Sequence, residues 1–318
     1  MGISLSAYIE ELHTRSDLIW PKPADPKPVK ATPYLKPLPE VKLVTWSLYG
    51  TLLEIDHGKL LHHHPQEIRM QIALEKVIKE FNMWNSMNRR QGQPWEGMLT
   101  LYDRFREDLE MVSSKHKGDF TEADSVKIWS KVLDRLKQKE YSWDVGKYGE
   151  KEDFALKIAY FFHASLQGVQ AAPHAQSTLA ELTNEGVFQG LLADAQAFSL
   201  AQLSHELSLQ GRFSSIAEMF SPEFFFLSYQ EKLRKPSLTL YKRPKEVFKK
   251  HGILPEQVLH VSHRLKDDLA IAKKSGFRTA LLVADQTCQV TAEEVRHPDM
   301  KPDRLLTEVR QIRQIVGR

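Results

Sequence analysis

Apolar residues recur at helical spacing near the start of the chain and through its first half. Leu5, Tyr8, Ile9 and Leu12 share one face of a short helix predicted over residues 4–14. Between residues 66 and 170, four further faces are formed by Met70, Leu74, Val77 and Phe81; by Met98, Leu101, Phe105, Leu109 and Val112; by Trp129, Val132 and Leu136; and by Phe154, Ile158, Phe161 and Phe162. Such one-sided patterns predict a bundle of amphipathic helices.

Short apolar runs typical of buried strands flank this helical region. They are VKLVTWS at 41–47, VFQGLLA at 187–193, FFFLS at 224–228, VLHVSH at 258–263 and RTALLV at 278–283. Helices are predicted between them at about 175–185, 237–251 and 266–275, and a last helix at about 302–316 carries Leu305, Leu306, Val309, Ile312 and Ile315. This alternation predicts an α/β fold with a doubly wound parallel sheet, into which the helical region is inserted.

Residues 20–39 form a proline-rich stretch, WPKPADPKPVKATPYLKPLP, which cannot be a helix or a central strand. It should run extended over a surface, and two interpretations remain open. In the favoured one, residues 1–40 are an arm laid along their own domain. In the other, residues 1–40 reach a protein partner or a second copy of the chain.

Composition narrows the function classes. Hydrophobic residues make up 42% of the 318 residues and charged residues 27%, which is ordinary for a globular protein. The net charge is +3, and no basic block with interleaved aromatics points to nucleic acid. Cys288 is the one cysteine, so an internal disulfide is excluded. No apolar run reaches the roughly 18 residues of a membrane helix and no secretory signal is evident, so a cytoplasmic location is expected.

The ends of the predicted strands carry the clearest functional signal, because ligands of doubly wound sheets bind beyond the carboxyl ends of strands. In chain order these ends read Ser47-Leu48-Tyr49-Gly50-Thr51, Leu191-Leu192-Ala193-Asp194, Arg234-Lys235-Pro236-Ser237, and His260-Val261-Ser262-His263 followed by Asp267-Asp268. The set resembles the four motifs of the haloacid dehalogenase (HAD) superfamily of hydrolases. Those motifs are Asp-x-Asp-Gly-Thr, a strand ending in Thr or Ser, a Lys commonly followed by Pro, and Gly-Asp with a second acid downstream.

The resemblance covers roughly residues 41–285 and implies a division of the chain. Residues 41–54 and 171–295 would form a HAD-like α/β core, and residues 55–170 a helical cap. Residues 1–40 would be the N-terminal helix and proline-rich arm, and residues 296–318 a C-terminal helix.

The resemblance also implies a site, although several family residues are replaced. The positions that match the catalytic residues are Ser47, Tyr49, Lys235 and Asp268. The positions that match substrate-binding residues are Gly50, Thr51, Ala193, Asp194 and Lys235. The positions that match ligands of the family's Mg²⁺ ion are Asp268 and His263.

The residue types at these positions argue against the family's chemistry. A carboxylate nucleophile is ionised at neutral pH, whereas Ser47 needs an adjacent base. Tyr49 replaces a general acid/base and, with an ordinary pKa near 10, makes a poor base. Mg²⁺ prefers carboxylate oxygens, and only Asp268 remains beside His263, so the sequence predicts no cofactor.

The remaining polar residues leave two interpretations of the cleft. Lys235 pairs with Asp268 and satisfies two buried charges, or Lys235 belongs to a retained site for an anionic small molecule. In the second case, the backbone N–H groups of the Gly50-Thr51 turn would cradle a phosphate without reaction.

A run of histidines follows the first motif. Clustered histidines can bind transition metals, but His62, His63 and His64 are consecutive and cannot all face one point. Together with His57 they are therefore interpreted as solvated loop residues. Phe224-Phe225-Phe226 is interpreted as a core strand.

Three functions fit these observations. The favoured one is a HAD-like protein that is catalytically inactive and acts as a binding or scaffold module. The second is a HAD-type hydrolase with atypical residues such as Tyr49, His263 and Asp268. The third is a structural subunit that docks through residues 1–40.

Overall fold

The computed structural model describes residues 2–23, 25, 27–87, 92–112 and 116–316. Ala24 and Pro26 of the proline-rich stretch, and parts of the predicted helical region, lie outside these ranges. The strands are β1 (Leu43–Trp46), β2 (Leu53–Ile55), β3 (Phe120–Thr121), β4 (Val169–Ala171), β5 (Phe188–Ala193), β6 (Phe225–Leu227), β7 (Leu233–Arg234), β8 (Val258–Ser262), β9 (Arg278–Leu282) and β10 (Arg304–Leu306).

Helices make up most of the remaining regular structure. They are α1 (Leu5–Thr14), α2 (Glu67–Glu80), α3 (Trp84–Met87), α4 (Pro94–Glu110), α5 (Ser125–Lys137), α6 (Val145–Tyr148), α7 (Lys151–Leu166), α8 (Ala175–Asn184), α9 (Ser199–Ser208), α10 (Ser228–Glu231), α11 (Lys242–Lys250), α12 (Ala270–Lys274), α13 (Ala292–Arg296) and α14 (Ile312–Val316). Within the described ranges, none of these helices is long and apolar enough to cross a membrane.

Six parallel strands form the central sheet in the order β10-β9-β8-β1-β5-β6. Apolar side chains of α8, α9 and α14 pack on one face, and those of α11 and α12 on the other. β1 lies between β5 and β8, which places Thr45 beside Gly190 and His260. The predicted doubly wound parallel sheet is confirmed.

The helices from α2 to α7, here called the helical insertion, lie between β2 and β4. These two strands pair antiparallel where the chain leaves the sheet and returns to it. The insertion buries its own aromatic and aliphatic core, and Tyr8, Ile9 and Leu12 of α1 are part of that core. A second short pairing joins β3 of the insertion to β7, directly before Lys235.

The prediction of one helix over residues 302–316 is wrong at its start. Residues Arg304–Leu306 form β10, which pairs with β9, and helix α14 begins only at Ile312. A short strand followed by a short helix places Leu305, Leu306 and Val309 at spacings that mimic a helical stripe. The open edge of β9 offers hydrogen bonds that the local pattern does not reveal.

The proline-rich arm covers the outer edge of the sheet. Tyr34 N–H donates to Leu305 O at 2.8 Å, and Leu305 N–H donates back to Tyr34 O at 3.2 Å. Farther on, Leu38 N–H donates to Ile315 O at 2.7 Å. The arm therefore packs on its own chain, as the favoured interpretation has it, and shields a strand edge that would otherwise pair with other chains.

Candidate functional site

The turn that follows β1 is closed by its own backbone. Leu48 O accepts hydrogen bonds from the N–H groups of Thr51, Leu52 and Leu53 at 3.2, 2.9 and 3.0 Å, and Gly50 N–H donates to Leu53 O at 2.7 Å. Gly50 has φ +76°, in the left-handed region that glycine tolerates. Because the amides of Gly50 and Thr51 already donate within the turn, the turn does not present them to a phosphate.

The two first-motif side chains are both buried. Ser47 directly follows β1, and its N–H donates to Val261 O at 2.9 Å. The Tyr49 hydroxyl donates to Gln202 Oε1 at 2.7 Å and lies 2.9 Å from Ser199 Oγ, both on α9. Burial raises the pKa of Tyr49, so its hydroxyl keeps its proton and acts as a donor to α9 rather than as a base.

Asp268 is the centre of a buried hydrogen-bond network. Its Oδ2 accepts from Lys235 Nζ at 2.6 Å, and its Oδ1 accepts from Tyr241 Oη at 2.6 Å and lies 2.7 Å from His260 Nε2. Lys235 Nζ also donates to Leu192 O at 2.6 Å. Asp268, Tyr241 and His260 are completely buried and Lys235 is nearly so. The predicted pairing of Lys235 with Asp268 is present.

The charges of this network stabilise one another. Burial alone would raise the pKa of Asp268, but His260 and Lys235 outweigh it and hold that pKa well below its usual range. Burial lowers the pKa of Lys235, and Asp268 opposes the shift. Burial also lowers the pKa of His260, and Asp268 opposes the shift; His260 Nδ1 lies 3.0 Å from Thr45 Oγ1 and 3.1 Å from Thr45 O. Asp268 is an ionised structural acceptor.

Asp194, at the edge of this network, also has both carboxylate oxygens bound by neighbouring residues. Its Oδ1 accepts from Lys235 N–H at 2.8 Å, and its Oδ2 pairs with Arg264 Nη1 at 2.8 Å. The preceding Ala193 is completely buried and offers no hydroxyl to a substrate. Asp194 therefore links the second motif to Lys235 of the third and to Arg264, which follows the fourth-motif strand.

The His263 ring occupies the space beside the first-motif turn. A Cβ atom placed on Gly50 would lie 2.3 Å from His263 Cε1, and one placed on Gly58 would lie 2.7 Å from His263 Nε2. His263 Nδ1 is 3.3 Å from Thr51 Oγ1. Burial and the neighbouring Arg264 lower the pKa of His263 to about 3, so the ring is neutral at physiological pH.

These residues do not fit the Mg²⁺ ion that the family uses. Ser47 has no carboxylate, and the His263 ring contacts Thr51 and the backbone of Gly58. Asp268 has both carboxylate oxygens bound by neighbouring side chains. Mg²⁺ requires near-octahedral oxygen coordination, which this donor set cannot supply.

Sequence reasoning brought most of the site together but missed three of its members. Ser47, Ala193, Asp194, Lys235 and Asp268 lie at the carboxyl ends of neighbouring strands or in the segments that follow them, as predicted. His260, Tyr241 and Arg264 were not singled out. His260 carried a signal, since a titratable residue within an apolar strand needs a buried partner. Tyr241 carried none.

The interpretation of the histidine run as solvated is wrong for two of its residues. His64 is buried, and the His62 side chain is mostly buried, 3.3 Å from Gln196 Nε2 and 3.6 Å from Glu122 Oε1. Only His63 is substantially exposed, where it contacts Asp103. The three rings point in different directions, as their consecutive positions require.

Replacing Gly50 by alanine should lower the free energy of unfolding by about 2–4 kcal/mol. The new Cβ adds both the strain of a left-handed backbone and a clash with the His263 ring. Urea unfolding followed by circular dichroism measures the change.

Gly186→Ala is the matched control, because Gly186 has φ +75° but no atom within 4 Å of an added Cβ. It should show the backbone penalty alone, about 1–2 kcal/mol. If Gly50→Ala costs no more than Gly186→Ala, the His263 ring does not fill the space beside the turn. If the His263 ring does fill that space, the double variant Gly50→Ala/His263→Ala should recover part of the free energy of unfolding that Gly50→Ala loses.

Comparison with known proteins identifies the fold. No family model and no curated protein matches the sequence. A solved 2-haloacid dehalogenase from Pseudomonas syringae pv. Tomato DC3000 is similar, with a TM-score of 0.52 and 20% identity over 86% of this chain and 96% of that chain. A HAD phosphatase from Thermococcus onnurineus has a TM-score of 0.46 and 14% identity over 87% and 98% of the two chains. The first similarity, together with the parallel sheet and its strand-end residues, shows that this chain has the HAD-like fold.

Proposed function

We propose that this chain is a HAD-fold protein without the family's hydrolytic activity and that it acts as a binding or scaffold module. The observation that supports this best is the state of Asp268, the one carboxylate left among the positions that match the family's catalytic and metal-binding acids. Asp268 is completely buried, and its oxygens are bound by Lys235, Tyr241 and His260. A nucleophile or a metal ligand needs a free oxygen at the substrate.

A serine mechanism has less support. Ser47 would need a base within hydrogen-bond reach, as in serine hydrolases. In the part of the chain that the structure describes, no histidine nitrogen is hydrogen-bonded to Ser47. His263, whose ring lies near the same turn, contacts Thr51 and Gly58 instead.

A cavity between the helical insertion and the core offers a place for a ligand. Its volume is about 580 Å³, within the usual range for small-molecule sites. Leu109, Leu233 and Tyr229 give it an apolar wall, and Glu122 and Lys232 supply opposite charges. In this proposal the residues of the family's active site stabilise the core, and binding takes place in this cavity.

The chain should not turn over phosphate esters or 2-haloacids. Aryl phosphates and short 2-haloacids, assayed with and without Mg²⁺, should give rates equal to those of the Ser47→Ala variant. Because Ser47 is a buried strand end, this variant should keep the wild-type circular dichroism spectrum, which serves as the control for folding.

Turnover that Ser47→Ala abolishes would contradict the proposal and favour a hydrolase with atypical residues. For the binding role, thermal-shift screening should find ligands whose stabilisation of the chain is lost in Tyr229→Ala. Ligands that stabilise both chains equally would exclude the cavity as the binding site.

A further inference from the structure

Three metal-ligating side chains converge in the segment that connects β2 to α2. Asp56, His57 and His64 each offer one ligand atom, and these atoms all lie within 4.8 Å of one another. Asp56 Oδ2 is 3.7 Å from His57 Nε2 and 3.9 Å from His64 Nε2. Ligands that are bound at 2.0–2.2 Å in a tetrahedron lie roughly 3.3–3.5 Å apart. The two distances from Asp56 are therefore a few tenths of an ångström too long, and the two ring nitrogens, which lie within 4.8 Å of each other, would have to approach by up to about 1.4 Å to close the set around one ion.

The His64 ring adds independent evidence for a ligand. The residue is only 1% exposed, and its Nε2 has no hydrogen-bond partner among the residues that the structure describes. Buried polar atoms in folded proteins nearly always have a partner, and an unpaired one requires an explanation. Since Nε2 faces Asp56 Oδ2 at a distance too long for a hydrogen bond, an ion between them would satisfy both atoms.

The local backbone holds the other two side chains in place. Asp56 Oδ1 accepts from His57 N–H at 3.0 Å, which leaves Oδ2 facing the two rings. His57 adopts φ +61° in a single helical turn, and its ring meets that of His64 edge to face with centroids 5.5 Å apart. Asp56 and His57 are half-exposed, so an ion can enter from solvent.

From this geometry we infer that Asp56 Oδ2, His57 Nε2 and His64 Nε2 bind one divalent transition-metal ion of the zinc class. Two imidazoles and one carboxylate suit such ions, whereas Mg²⁺ prefers oxygen ligands alone. Three protein ligands on a half-exposed segment leave a fourth position open for water. The inference does not depend on the proposed lack of hydrolytic activity.

Binding requires one proton to change its place on the ring. Gln66 N–H donates to His64 Nδ1 at 3.0 Å, so in the metal-free chain the proton of the neutral ring is on Nε2. When the ion takes Nε2, the proton moves to Nδ1 and the Gln66 bond is lost. Gln66 is exposed at the start of α2, so water can replace that bond. No net proton release is needed.

One cation competes with the ion for the carboxylate. Arg69 Nη1 lies 3.7 Å from Asp56 Oδ2, with its side chain about two-fifths exposed. An exposed pair of this kind is weak, so the ion can displace it. Removing the guanidinium should therefore strengthen metal binding, an effect that a damaged fold would not produce.

The site would lie where the chain passes from the sheet into the helical insertion. Asp56 and His57 directly follow β2, and His64 precedes α2. The intervening Gly58 packs against the His263 ring. A bound ion would therefore fix the connection that positions the first helix of the insertion.

Isothermal titration of the full chain, produced without a histidine tag, with ZnCl₂ tests the inference. We expect one-to-one binding. His57→Asn removes one of the three ligands and should weaken binding by more than tenfold, because even the loss of a hydrogen-bond partner of a metal ligand typically costs about 10–100-fold in affinity. His63→Asn is the matched control: this adjacent histidine contacts Asp103 and should leave the affinity unchanged. Arg69→Gln should raise the affinity a few-fold. Absorption of the Co²⁺ complex should show low-coordinate geometry that His57→Asn removes.

Three results would overturn the inference. They are no one-to-one uptake of Zn²⁺ by the wild-type chain, equal affinities for wild type and His57→Asn, and a lower affinity in Arg69→Gln. Asn tolerates the left-handed backbone of His57, and circular dichroism of each variant checks its fold. Excess Mg²⁺ should not displace Zn²⁺, and displacement would be a fourth result against the inference, because it would exclude a zinc-class site.

Discussion

Asp268→Ala should lower the free energy of unfolding by about 3–5 kcal/mol, the range seen when one partner of a buried ion pair is removed. The substitution leaves the Lys235 ammonium completely enclosed without its counter-charge. It also removes the acceptor of the Tyr241 hydroxyl and of His260 Nε2. Urea unfolding at neutral pH, followed by tryptophan fluorescence, measures the loss.

The neighbouring Asp267 supplies the control for this substitution. It is exposed, so Asp267→Ala should change the free energy of unfolding by no more than about 0.5 kcal/mol. The double variant Asp268→Ala/Lys235→Met should be more stable than Asp268→Ala alone, because it no longer buries an unpaired charge. Equal effects of the two single aspartate variants would contradict a structural role for Asp268.

This experiment distinguishes a substrate-binding role of Lys235 and Asp268 from a structural one, which the resemblance to the family does not distinguish. At the carboxyl ends of parallel strands, a Lys and an Asp can bind a substrate or each other. Here the 2.6 Å Lys235–Asp268 contact, closed from solvent, assigns them to each other. The cost of removing Asp268 would then appear as lost stability.

The sheet could be predicted because its central strands are buried on both faces. Such strands read as continuous apolar runs, and β1, β5, β8 and β9 all lie within predicted runs. The pairs β2–β4 and β3–β7 were not predicted, since strands of two or three residues carry no periodic pattern. β10 was assigned to a helix because its pairing with β9 is decided by tertiary contacts.

The site could be predicted only as far as topology determines it. Parallel strands bring Ser47 and Asp194 to one edge of the sheet, and sequence order alone shows this; Lys235 follows β7 outside that sheet and reaches the edge through its contact with Asp194. Whether Asp268 faces a cleft or the interior depends on Tyr241, which is supplied by a turn with no motif. Likewise, the burial of His64 follows from the packing of α2 and could not be read from three consecutive histidines.

The contribution of the His263 ring to the free energy of unfolding should fall as the pH falls from 7.5 to 5. The pKa of His263 is about 3 in the folded chain, against about 6.5 when exposed in the unfolded chain. Its folded pKa is the lower one, so its contribution is complete above pH 6.5 and is lost as the pH falls toward 3. At pH 5 the loss from His263 alone is about 2 kcal/mol, since each pH unit below 6.5 costs about 1.4 kcal/mol.

Two further buried histidines should steepen this dependence. Burial and the neighbouring His62 lower the pKa of His163 well below its usual value, and burial lowers that of His260. Glu206 acts in the opposite sense, because burial raises its pKa to about 7 and its uptake of a proton below that pH stabilises the folded chain, so urea unfolding at pH 7.5 and pH 5 measures the net difference. His263→Gln should reduce this difference by about 2 kcal/mol whatever its own stability, because one fewer ring must take up a proton on unfolding.

The exposed His63 is the control, and His63→Gln should leave the difference unchanged. Equal pH dependence in wild type and His263→Gln would show that the ring is already protonated in the folded chain, and a charged ring could not fill the closed space beside Gly50.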